Sequence, residues 1–149
     1  MDPAAIVDYI VPTFPNVNHL CKDGDSFFIY NPGRELAPAE QIPFVTLIQR
    51  DDYDTASNLS REGIYRLNIG VSRETYQKHF GDPPPFPKDG GIINTGHDFT
   101  VLDQLLPHPI YAAMGWVCIL NPSDTAFETE LKSMLAEAYA IAKKRIDNV

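Results

Sequence analysis

Apolar residues recur along the chain with two periods, and the changes between them mark out the elements. Asp2-Pro3 reads as an N-cap followed by proline at the first helical position, with Ile6, Tyr9 and Ile10 at i, i+3 and i+4. This pattern predicts a short first helix that ends before Pro12. Val17–Cys21 and Ser26–Tyr30 are β-compatible runs around Lys22-Asp23-Gly24-Asp25, whose Asp-Gly pair signals a hairpin, and Asn31-Pro32-Gly33 turns the chain again. Phe44–Gln49 is rich in β-branched and aromatic residues, and Tyr65–Val71 alternates apolar with polar positions, so both read as strands. The connection between them is polar and irregular, and it opens with Asp51-Asp52-Tyr53-Asp54.

Ser72 is placed to cap a second helix that carries Glu74 in its first turn and Tyr76 and Phe80 on one side, with Gly81 as its stop. The run from Asp82 to Gly91 holds four prolines, which excludes a central strand there. The periodicity of Phe99–Leu106 fits a strand start or a single helical turn, with a strand favoured, and the apolar run Gly115–Leu120 is expected as a central strand ended by Asn121-Pro122. Thr125 and Glu128 fit a capping box. Phe127, Leu131, Met134, Leu135, Ala138, Ile141, Ala142 and Ile146 then trace one face of a long last helix. The order α-β-β-β(-β)-α-β-β-α predicts one α+β domain over residues 1–149, a two-layer fold with a largely antiparallel sheet and helices on one face.

Composition narrows the function classes. The chain has 149 residues, 44% of them hydrophobic, enough to build a core without cross-links. Twelve Lys and Arg against twenty Asp and Glu leave a net charge of −8, which disfavours nucleic acid as a partner. The one basic cluster, Lys143-Lys144-Arg145, suits a helix C-terminus. Asp2 and Asp8 interrupt the apolar N-terminal residues, so neither a signal peptide nor a membrane anchor is expected. Cys21 and Cys118 are far apart and in no CxxC pattern, which reads as two reduced thiols and a cytoplasmic location.

The element order, together with Pro109-x-Tyr111, Gly115-Trp116-Val117 and Ala138-Tyr139 in the last helix, resembles the MmcQ/YjbR-like proteins. That resemblance implies a secretion-chaperone-like α+β fold, and it brings DNA binding as an implied function, which the acidic charge opposes. Thr13-Phe14-Pro15, Asp51-Asp52-Tyr53-Asp54, Arg66-Leu67-Asn68-Ile69-Gly70-Val71 and Leu106-Pro107-His108-Pro109-x-Tyr111 look more like an uncharacterised bacterial domain family, which implies a fold and no reaction.

Candidate chemistry concentrates late in the chain. Among His19, His79, His97 and His108, only His97-Asp98 with Asp103 and His108 gathers metal-compatible side chains, and no zinc-type spacing is present, so no metal is expected. Asp51, Asp52 and Asp54 lack calcium-loop spacing and read as solvated loop acids. His108 stands between two prolines and is displayed from a stiffened backbone, which suits a site or a structural corner. Tyr111 and Trp116 flank it and would either line an apolar cleft or join the core. Arg66 and Asn68 share a strand face, where they would bind a carboxylate or, on an exposed face, pair with a cross-strand acid. Cys118 in an apolar strand is inert, and neither a nucleophile elbow nor a phosphate loop or other cofactor motif is recognisable.

The leading expectation is a non-catalytic ligand- or protein-binding domain, with a small molecule, a protein or a second copy of the chain as partner and no membrane or cofactor. The runner-up is a small-molecule enzyme. The candidate ligand-binding residues under either reading are Arg66, Asn68, His97, Asp98, His108, Tyr111 and Trp116.

Overall fold

Helix α1 (Pro3–Thr13) begins where the Asp2 carboxylate accepts the Ala4 amide at 2.9 Å. The computed structural model of the chain describes residues 1–148. The helix runs through Pro12 instead of stopping before it. Proline there forfeits the bond to the carbonyl of Asp8, an exposed residue, and two residues on, the ladder bond Phe14 N–H to Ile10 O is made at 3.1 Å.

Strands β1 (Val17–Lys22) and β2 (Asp25–Tyr30) form a hairpin whose loop is Asp23-Gly24, with φ of 54° and 89°. Two left-handed residues in a two-residue loop match the strand twist, and Asp-Gly supplies them at low cost. Strands β3 (Val45–Ile48) and β4 (Arg66–Ile69) follow, then α2 (Arg73–Phe80), capped by the Ser72 hydroxyl and ended at Gly81 with φ 78°. Strand β5 is only Leu106–Pro107, and β6 is Val117–Leu120. The sheet order is β1-β2-β3-β4-β6-β5, with every pairing antiparallel.

The long strand expected over Phe99–Leu106 is therefore mostly a loop. Asp98 folds back to accept the Thr100 amide, and Asp103 takes a left-handed φ of 56°. The last helix also starts differently. Ser123, not Thr125, is its cap and accepts the Ala126 amide at 3.1 Å, while Glu128 pairs with Lys132 at 2.8 Å. The helix proceeds as α3 (Asp124–Ala126), a π-helical turn (Phe127–Leu131) and α4 (Lys132–Asp147). Its apolar stripe is buried except at Ile141, which lies at the margin and is 39% exposed.

Strand alternation sorts the sheet into two faces. Val45, Leu47, Leu67, Ile69, Val117 and Ile119 join Ile6, Ile10, Leu131 and Leu135 in one core, so all the helices cover this side. The result is an open antiparallel sheet with helices on one face, an α+β fold. On the other face Ile48, Cys118, Leu120 and Leu106 of β5 make a smaller cluster with Leu59 and Phe99, contributed by loops. Loops cover only part of that face, and the remainder is a cleft. No helix among the described residues is long and apolar enough to cross a membrane.

Candidate functional site

The cleft holds about 390 Å³, and its floor is the loop-side face of the central strands. Arg66 on β4 sits beside Ile48 of β3 and Leu120 of β6, and is 1% exposed. A guanidinium removed from water between apolar neighbours needs a charge partner. It finds one in Asp54, which the β3–β4 loop carries over the sheet: Nη1 and Nη2 donate to the two carboxylate oxygens at 3.0 and 2.7 Å. Nη1 also donates to Ser57 Oγ at 2.9 Å, and Nε to Asn68 Oδ1 at 2.9 Å. Burial works against ionised Asp54, but the hydrogen bonds and charge of Arg66, with a bond from the Ala56 amide, hold its carboxyl below the ordinary aspartate value.

Two expectations are corrected here. The face bearing Arg66 is not exposed, and its partner is a loop acid, not a cross-strand one. Asp54 is not a solvated acid: its side chain is 5% exposed, whereas Asp52 stays outside and pairs with Arg50. The loop is held in this shape by the Leu59 amide donating to Asp51 Oδ1 at 2.9 Å and by Arg61 Nη2 donating to the Ser57 and Thr100 carbonyls.

From Arg66 the polar chain continues across the sheet. Asn68 uses its oxygen for Arg66 and donates through Nδ2 to Thr46 Oγ1 at 2.9 Å. Thr46 therefore accepts within the chain, lines the cleft and donates to no group among the described residues.

His108 leaves the end of β5 with its backbone amide bound to the Trp116 carbonyl at 3.0 Å. Its Nδ1 accepts two backbone amides, those of Ile110 at 3.1 Å and Tyr111 at 3.0 Å. Accepting at Nδ1 requires the proton to be on Nε2, so the ring is the neutral Nε2–H tautomer. Burial, reinforced by the Arg66 charge and only partly offset by Asp54, lowers the imidazole pKa to about 3. The ring also faces Tyr111 and Trp116, with centroids 5.1 and 6.4 Å away. Trp116 lies flat against β4, where a Cβ on Gly70 would come within 2.9 Å of the indole. Ile42, Tyr53, Tyr111 and Met114 form an exposed apolar rim.

Five of the nominated residues thus line one cleft: Arg66, Asn68, His108, Tyr111 and Trp116. His97 and Asp98 do not. His97 is exposed, bonded to Thr95 Oγ1 and edge-on to Phe80. Asp98 caps its own turn through the Thr100 hydroxyl and amide, which lower its carboxyl pKa. Asp103 accepts the Ser123 amide, and no group of three metal-compatible side chains comes together among the described residues. Asp54 and Thr46 were missed. Thr46 had a signal, since it is the polar residue within an apolar strand whose neighbour bears Arg66 and Asn68. The signal for Asp54 was weaker, a cation in a buried-looking strand that demanded some acid.

Fold and site together define an α+β domain with a polar-floored, aromatic-walled cleft on the sheet face its helices leave open. The chain belongs to the DUF6194 family, a family of unknown function, which it matches over residues 1–149. No curated protein and no solved structure matches it.

Proposed function

We propose that this chain is a non-catalytic small-molecule-binding domain and that the cleft between His108, Trp116 and the Arg66 chain is its ligand site. The observation that carries the reading is a hydrogen-bond donor, His108 Nε2–H, held neutral inside a concave apolar wall with no partner among the described residues. Cleft sizes of about 300–1,000 Å³ suit small ligands. Binding is favoured over catalysis because the titratable groups in the cleft are committed. Asp54 is spent on Arg66, and His108 does not take up a proton near neutral pH. In this reading the residues act as one α+β domain. The MmcQ/YjbR-like resemblance contributes element order alone, since the net charge of −8 gives DNA binding no support. The exposed free thiol of Cys21 is in keeping with a reducing cytoplasm.

Trp116 is the sole tryptophan, so intrinsic fluorescence reports on the cleft wall directly. Titration with the neutral apolar dye Nile red should quench or shift Trp116 emission saturably, with one dye per chain, and Met114→Asp at the rim should weaken the effect. A linear, non-saturating response, or one indifferent to Met114→Asp, would remove this function.

A protein partner, including a second copy of the chain, is a second reading. It is supported by β1, an edge strand whose Leu20 is 51% exposed. Light scattering at rising concentration tests it, and a constant monomer mass counts against the second copy.

A further inference from the structure

We infer that the ligand of this cleft is a neutral, flat molecule that presents a carbonyl oxygen to Nε2–H of His108; the inference rests on the cleft being a binding site and specifies what it takes.

The first argument is the direction of hydrogen bonding. Both backbone amides that reach His108 end on Nδ1, at 3.1 and 3.0 Å, so the other nitrogen can only donate. The ring is 3% exposed and lines the cleft, and its Nε2 has no partner among the described residues. It is not sealed off as a buried unsatisfied atom, so an acceptor that enters the cleft can reach it. The nearby floor has the same polarity. Asn68 Oδ1 accepts from Arg66 and the Thr46 hydroxyl accepts from Asn68, and the Thr46 O–H donates to no group among the described residues. A neutral imidazole whose other nitrogen is held by the first amides of a helical turn, here the 3₁₀ turn Tyr111–Met114, is a donor suited to a carbonyl oxygen.

Charge is the second argument. Arg66 and Asn68 had suggested a carboxylate ligand. In the structure Asp54 already fills the guanidinium fork with both its oxygens, at 3.0 and 2.7 Å. An anionic ligand would meet a cation whose charge is matched and a carboxylate beside it, in a region of low dielectric where like charges repel strongly. A neutral ligand escapes this. Shape is the third argument. His108, Tyr111 and Trp116 stand as a corner of three rings with centroids 5.1 to 6.4 Å apart, so a planar body can stack or pack edge-on against them.

Three ligands of nearly equal shape separate these terms: acetonaphthone, a neutral ketone; ethylnaphthalene, which lacks the oxygen; and naphthoate, which adds the charge. Calorimetric titration of the full chain should rank acetonaphthone about tenfold tighter than ethylnaphthalene, the worth of one well-made hydrogen bond, with naphthoate no tighter than the hydrocarbon. The bound ketone's carbonyl stretch should move to lower frequency, and the His108 Nε2 resonance should shift with the ketone and not with the hydrocarbon. His108→Asn retains an acceptor for the two backbone amides but removes the distal donor. On that variant the difference in affinity between ketone and hydrocarbon should disappear. If that variant does not fold, the resonance shift in the unaltered chain still decides the matter. Equal binding of ketone and hydrocarbon, or tighter binding of naphthoate, overturns the ligand class and leaves the cleft as a binding site. Failure of all three ligands and of Nile red removes both.

Discussion

At the scale of single residues, the Arg66–Asp54 pair controls the character of the cleft. Buried pairs are poor contributors to net stability, but breaking one leaves an uncompensated charge and costs about 3–5 kcal/mol. Asp54→Asn should therefore lower the unfolding free energy obtained from urea titration by an amount of that order. It should also open the guanidinium fork, so that naphthoate now binds and raises the melting temperature of the variant, an effect the unaltered protein should not show. Arg66 was legible from its strand. Its partner was not, because Asp54 comes from an irregular loop whose path depends on the Asp51–Leu59 and Arg61–Thr100 bonds rather than on any local preference.

At the scale of elements, β4 and the segment leading into β6 make the wall. Trp116 just precedes β6, and its indole reaches the end of β4 because Gly70 has no side chain: a Cβ there would be 2.9 Å from two indole carbons. Gly70→Ala should move the indole, at a cost of about 1–3 kcal/mol for overpacking. The expected readout is a change in the emission maximum of the unliganded protein together with weaker Nile red binding. The 3₁₀ turn Tyr111–Met114 ends at Gly115 with φ 85°, and this turn presents the two amides that orient His108. The two prolines around His108 suggested a rigid corner, and that corner also lines the cleft, where the amides behind the ring hold it in one tautomer. Expecting a full strand over Phe99–Leu106 overrated an apolar run. Phe99 is buried as a loop-borne plug on the second face, a role that periodicity cannot tell from a strand.

At the scale of the whole molecule, stability should depend on pH through the same groups. His108 has its folded pKa lowered from 6.5 to about 3. Between those values the unfolded chain binds a proton that the folded chain refuses, so stability rises with pH across the window and is lost as pH falls through it. The slope is up to about 1.4 kcal/mol per pH unit. Asp54, lowered below 3.8, acts in the same direction at more acid pH. Buried Asp25 opposes them: burial raises its folded value, so its contribution is present at acid pH and lost as pH rises through that value. Urea midpoints measured from neutral pH down to about pH 4.5 should fall for the unaltered protein and fall less steeply for His108→Asn, which carries no titrating ring at this position.

The alternation of residues in Tyr65–Val71, the Asp-Gly hairpin and the stripe from Phe127 to Ile146 were enough to establish an antiparallel sheet with helices on one side, since period and turn chemistry are local properties. They also placed Arg66 and Asn68 on one face and His108 beside Tyr111 and Trp116. Three-dimensional packing was needed to show that these two groups meet, that Asp54 neutralises Arg66 and that His97 and Asp98 lie elsewhere. Those outcomes depend on the order β3-β4-β6-β5 and on loop paths across the sheet, contacts between residues far apart in the chain that no local pattern encodes.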